Sequence, residues 1–256
     1  MQNQFDPRTT TGGYDPAISV GVPRAARDAG LRSYMLKVYN YMASAVLLTG
    51  IVALLFANTS LLNLVISTET GRPTLLMWVA LFGSLGLGLW VQAGINRMST
   101  QTAKLSFFAY AAVLGVALCT IFLTYTSVSI AQTFFAVAAA FVGLSLWGYT
   151  TKKDLSGWGT FLMMGVIGVF AGLLINIGIA AFTGQPSTTL DLAVSAIGVL
   201  VFAGLTAYDT QKIKSIYFTV GGTELAEKSA IYGAVQLYID FINMFLFLLR
   251  FMGDRR

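Results

Sequence analysis

Two stretches of this chain, 105–151 and 155–190, contain no charged residue. A helix resting in water needs a polar face, and neither stretch supplies one. Each exceeds the roughly 20 residues of helix that cross the hydrocarbon core of a bilayer. Lipid offers no partner to backbone N–H and C=O groups, so such a chain folds as spanning helices or as a closed barrel. The runs are about twice a barrel strand in length and lack polar alternation, which leaves helices. Composition points the same way: 56% of the 256 residues are hydrophobic and 11% charged, against about 25% charged in soluble domains. Water-soluble enzymes, disordered tails and nucleic-acid binders are excluded on that ground.

Apolar runs place seven spans near 35–57, 75–96, 104–126, 130–150, 158–182, 190–209 and 230–251. The links between them carry turn chemistry, as in Asn58-Thr59-Ser60, Gly71-Arg72-Pro73 and Gly184-Gln185-Pro186. The expected fold class is an all-α integral membrane protein, a seven-transmembrane-helix bundle in the lipid bilayer. Residues 1–33, broken by Asp6-Pro7, Gly12-Gly13 and Asp15-Pro16, read as a flexible polar cytoplasmic tail, and 34–256 as the transmembrane domain. Gly83, Gly86 and Gly88, and Gly165, Gly168 and Gly172, form small-residue faces that let helices approach closely in lipid.

Basic residues set the orientation. Arg24, Arg27, Arg32 and Lys37 precede the first span, Arg97 and Lys104 follow the second, Lys152 and Lys153 the fourth, and Lys212, Lys214 and Lys228 the sixth. The amino terminus is expected to be cytoplasmic. Arg250, Arg255 and Arg256 oppose that pattern if the seventh span is complete, and a re-entrant last segment would remove the conflict. The preferred reading is seven full spans with an external carboxyl terminus.

The chain has no histidine and one cysteine, Cys119. Histidine-based catalytic pairs, metal sites and pH switches are thereby removed. With no nucleophile–base pair in sight, no enzymatic activity and no cofactor are expected. Ser145 reads as helix packing. Proton chemistry falls to the carboxylates.

Eight acids, Asp6, Asp15, Asp28, Glu69, Asp154, Glu224, Glu227 and Asp254, lie in tails or loops and read as solvated. Asp191, opening the sixth span, suits the positive end of a helix dipole. Asp209 and Asp240 stand apart. Asp240 sits about ten residues from either end of the last span, roughly 15 Å deep at 1.5 Å per residue. A charge there costs about 2.5–3.5 kcal/mol even on the lenient insertion scale. Asp209 closes the expected sixth span, where a carboxylate opposes the dipole, and Lys212 is its nearest cation in sequence. If the two acids meet inside the bundle they cannot both ionise cheaply; they share one proton and titrate as a unit. Arg97 is a competing partner toward which an ionised Asp209 could swing, while Asn243 and Tyr208 are placed to support the pair. Asn176 reads as interhelical glue.

The segment Gly198–Lys214, with Ala207-Tyr-Asp-Thr-Gln-Lys212 at its core, then Leu237-Tyr-Ile-Asp-Phe-Ile-Asn243 and Leu248-Leu-Arg-Phe251, resembles the Bax-inhibitor (transmembrane Bax-inhibitor-motif) family, bacterial branch. So do Lys37-Val-Tyr-Asn-Tyr-Met42 and Thr150-Thr-Lys-Lys-Asp-Leu-Ser156. The resemblance covers about residues 31–256. It implies a last helix enclosed by the other six, and a pH-sensitive calcium leak whose proton sensor falls on Asp209 and Asp240. It also implies a latching arginine at the place of Arg97, with calcium passing transiently near the acids and no fixed metal site. The lysine-rich tail of some eukaryotic members is missing; Arg255-Arg256 remains. A bacterial inner membrane is the implied location.

Two functions of different kind follow. One is the proton-gated calcium leak. The other is a modulator that binds a membrane-embedded ATP-dependent protease, or another membrane partner, through the 1–33 tail and the 210–229 loop. A proton-coupled transporter ranks behind both, because no substrate-pocket chemistry stands out.

Overall fold

A computed structural model describes residues 24–68 and 70–256. The helices run α1 (Arg24–Asn58), α2 (Leu62–Val65), α3 (Leu75–Gly94), α4 (Thr100–Leu118), α5 (Ile121–Thr124), α6 (Ser127–Thr150), α7 (Trp158–Thr183), α8 (Thr188–Val220) and α9 (Leu225–Met252). A 3-10 turn, Ile95–Arg97, follows α3. Seven spans are long and apolar enough to cross a membrane, with α4 and α5 counted as one. Among the described residues the only extended pairings are the isolated bridges Ile66–Pro73 and Tyr125–Arg255. The protein is an all-α integral membrane bundle.

Local chemistry explains the helix ends. Ser99, Thr126 and Ser187 are N-caps whose hydroxyls accept from the amides of Thr102, Ser129 and Leu190 at 3.1, 3.2 and 3.4 Å. Gly184 ends α7 at φ +82°, a left-handed position that suits a residue without a Cβ.

Three boundaries differ from the sequence reading. Helix α1 begins at Arg24, so residues 24–33 belong to the first span's helix rather than to the tail; the remainder of the 1–33 call lies outside the described residues. Helix α8 continues to Val220, eleven residues past Asp209. The polar run Thr210–Lys214 ends the hydrophobic stretch without ending the helix, because no breaker occurs before Gly221-Gly222. Asp209 is therefore an interior helical residue, not a terminal acid opposing a dipole. Helix α9 starts at Leu225, which makes Glu227 a first-turn residue instead of a loop acid.

The two ends of the bundle can be told apart by contacts. The ring of Tyr34, in the first part of α1, meets that of Tyr217, near the end of α8, at 5.3 Å with a 40° tilt; we call this the proximal end. At the distal end, Asp191 in the first turn of α8 pairs with Arg250 at 3.6 Å and Arg255 at 3.2 Å. Helix α9 thus runs the whole way from proximal to distal, and the seven-span reading holds over the re-entrant one. Asp191 answers the basic residues that conflicted with the charge pattern, in addition to sitting well on the α8 dipole.

Helix α9 supplies the core. Of its span, 67% is buried inside the bundle, against 17–44% in the other six. Its walls are α1, α4, α6 and α8, whereas α3 packs mainly on α4 and α7 on α8. The central position is as implied by the family resemblance, but four helices enclose it and two flank the outside. Tyr238, fully buried, holds the middle: its ring meets Phe107 and Tyr110 edge-on at 5.5 Å each.

Candidate functional site: an acid pair in the α8–α9 seam

Two glycines bring α8 and α9 together. A Cβ on Gly233 would meet Ile213 at 3.0 Å, and one on Gly198 would meet the Phe247 ring at 2.6 Å. These contacts fix an antiparallel register in which Gly198, Phe202, Leu205, Asp209 and Ile213 of α8 form one stripe at helical spacing. The facing stripe on α9 is Gly233, Leu237, Asp240, Met244 and Phe247. One carboxylate interrupts each stripe, and the register sets the two opposite each other.

Asp209 is 7% exposed and Asp240 3%. Their carboxyl groups face each other closely enough for each to act on the other electrostatically. A hydrogen bond between two such carboxyl groups needs a proton to bridge them. The second oxygen of Asp240, Oδ2, is buried with no partner, and so is Oε1 of Gln236 one turn earlier on α9. An unpaired buried polar atom costs about 1–3 kcal/mol, so this seam carries polarity that packing alone does not repay. Lys212 forms no ion pair with Asp209; its ammonium stands over the Tyr208 ring at 6.0 Å.

The other expected participants lie apart from the pair. Tyr208 packs its hydroxyl against Gly159 of α7, about a quarter turn of α8 away from the seam. Asn243 donates to the Ile239 carbonyl of its own helix at 2.8 Å. Arg97 is exposed on the 3-10 turn, which packs against α9 and is anchored by buried Ile95 and Met98. It forms no ion pair with either aspartate. Asn176 accepts from the Ser187 amide at 2.8 Å and so ties the end of α7 to the start of α8.

A hydroxyl cluster beside the pair escaped the sequence reading. Thr210, next to Asp209, donates to the Thr206 carbonyl at 2.7 Å and lies 3.4 Å from the Ser145 hydroxyl. The Tyr39 hydroxyl of α1 faces both of these hydroxyls. The cluster joins α1, α6 and α8. Its signal was present in the Lys37–Met42 segment, but isolated hydroxyls in apolar runs look alike whether or not they converge.

A second missed group lies at the proximal end. Glu227 pairs with Lys104 of α4 and accepts from the Tyr41 hydroxyl of α1 at 3.1 Å, while Lys104 stands over the Tyr41 ring at 5.4 Å. Among the described residues no three acidic, cysteine or histidine side chains converge as a metal cage.

The family described as "Inhibitor of apoptosis-promoting Bax1" matches residues 31–256. A protein of Rickettsia prowazekii is 44% identical over 229 residues, covering 90% of this chain and 92% of that protein. A protein of Caulobacter vibrioides is 41% identical over 251 residues, covering 95% and 97%. The inner membrane protein YbhL of Escherichia coli K12 is 41% identical over 230 residues, covering 89% and 94%.

Proposed function

This chain belongs to the Bax-inhibitor family, and on that premise we propose that it is a calcium leak of a bacterial inner membrane, gated by the proton shared between Asp209 and Asp240. The observation that carries the reading is the pair itself: two buried carboxyl groups on the two most buried spans, facing each other across one seam. Calcium is the cargo. It prefers oxygen ligands, and two carboxylates with a glutamine oxygen nearby make a weak site, suited to passage rather than storage.

The gating follows from Coulomb's law. With one proton the pair is a hydrogen bond that holds α8 to α9. Without it, two like charges face each other, at a cost of about 4 kcal/mol for 4 Å and an effective dielectric of 20. That is a large force on a seam held by glycine contacts. Arg97, exposed on a turn that rests on α9, supplies the cation toward which an ionised Asp209 moves.

The test is calcium flux into proteoliposomes at pH steps between about 6 and 8, since a shared carboxyl proton is held above the ordinary carboxylate range. Wild-type flux is expected to change with pH, and Asp209→Asn and Asp240→Asn each to give pH-independent flux. Folded protein with no flux above empty liposomes would overturn the leak and favour a partner-binding role with structural acids.

A further inference from the structure

Helices α1 and α6 diverge and leave a trough of about 950 Å³ on the membrane-facing side of the bundle. Its floor is Phe241 of the central helix, boxed in by Phe134 and Phe141 at 5.7 and 5.6 Å. Polarity along it is graded. The proximal part holds Arg32 and Tyr39 of α1 with Ser145 and Tyr149 of α6, and beyond Met42 every lining residue is apolar as far as Leu54. At 1.5 Å per residue, Met42 to Leu54 is about 18 Å of apolar trough, slightly more than one leaflet of a hydrocarbon core roughly 30 Å thick. Arg32 to Tyr39 adds about 10 Å at headgroup depth.

The rim is positively charged. Arg32 is exposed and, among the described residues, forms no ion pair. Lys214 reaches from α8 to the end of the other wall, donating to the carbonyl of the lining residue Tyr149 at 2.7 Å with its ammonium 5.0 Å from the Tyr149 ring centre. Lys152 and Lys153 follow directly on α6.

We propose that the α1–α6 trough is a binding site for one anionic glycerophospholipid of the proximal leaflet. Arg32 engages the phosphate, the Tyr39 and Ser145 hydroxyls face the ester region, and an acyl chain lies along Met42–Leu54 over Phe241. Charge complementarity at the rim selects an anionic headgroup over a zwitterionic one. The graded wall fits a lipid and not a free phosphate, which would use the rim alone. The site is independent of the calcium reading, although Tyr39 also touches the hydroxyl cluster next to Asp209.

The test uses the whole chain, delipidated in mild detergent, with phosphatidylglycerol or phosphatidylcholine of matched chains added and bound lipid counted by native mass spectrometry. Wild type is expected to retain phosphatidylglycerol preferentially, in competition with excess inorganic phosphate. Arg32→Gln should lose about fivefold in that preference, the worth of one basic group at a membrane surface. Gly50→Leu fills the trough where a Cβ meets nothing within 4 Å, so it should fold normally and lower retention of both lipids. Equal retention of the two lipids by wild type, displacement by phosphate, or an unchanged preference in Arg32→Gln would each overturn the site. None of these readings involves calcium flux, so the lipid site and the leak stand or fall separately.

Discussion

The Tyr238 and Thr49 hydroxyls meet at 2.7 Å in the middle of the bundle, and Thr49 also lies 2.9 Å from the Ala45 and Ala111 carbonyls. One threonine thereby links α1, α4 and α9. Thr49 has a single proton, so it donates to a carbonyl and accepts from the tyrosine.

That polarity of donation predicts an asymmetry. Tyr238→Phe removes a donor and leaves Thr49 bonded to a carbonyl, at a cost of about 1 kcal/mol. Thr49→Val strands the buried tyrosine hydroxyl and should cost about 1–3 kcal/mol. Thermal unfolding in detergent compares the two; equal losses would mean the bond is not the coupling between the helices.

The Lys104–Glu227 pair pins the start of α9 to α4, but its side chains are 31% and 40% exposed. Exposed pairs contribute about 0–1 kcal/mol. Glu227→Gln should therefore shift the melting temperature slightly at low salt and not at all at high salt, where screening has already removed the attraction.

Gly148 of α6 lies against the Ala207 carbonyl, two residues before Asp209, so a methyl group there has no room. Gly148→Ala is expected to push α6 off α8 and lower stability by about 1–3 kcal/mol, as overpacking does. Gly143→Ala, on the same helix where an added Cβ meets nothing within 4 Å, should be neutral or slightly stabilising through helix propensity. Parallel melting curves decide.

In the loop between α6 and α7, Asp154 accepts from the Ser156 amide and hydroxyl, each at 2.9 Å, and these bonds hold its carboxyl below the usual carboxylate range. A lowered value means the turn is favoured above the ordinary carboxylate range and lost as pH falls through the lowered one. Amide exchange at Ser156, corrected for intrinsic rate, should stay protected at neutral pH and lose protection only in acid. Asp154→Ala should remove the protection at every pH.

The membrane class, the seven spans and the two unusual acids are legible from residue type alone, because lipid penalises charge so heavily that every exception stands out. Asp209's place within its helix was not legible. Hydropathy ends with the bilayer, whereas α8 ends at its glycines. Glu227 and Asp191 look like loop and cap acids until Lys104, Arg250 and Arg255 arrive from distant segments. Long-range partners of that kind leave no local pattern, and neither does the trough between α1 and α6, which exists only because two helices diverge.

The length of α8 beyond Asp209 has a mechanical consequence. From Asp209 to Tyr217 is eight residues, or about 12 Å of rigid rod. A ten-degree tilt about the acid pair sweeps Tyr217 sideways by about 2 Å, within the range of helix shifts that switch other proteins. Tyr217 rests on Tyr34 and Gly30 of α1. On the gating proposed above, the loss of one proton from the acid pair becomes a displacement at the bundle's proximal end, which can be read without any ion having moved.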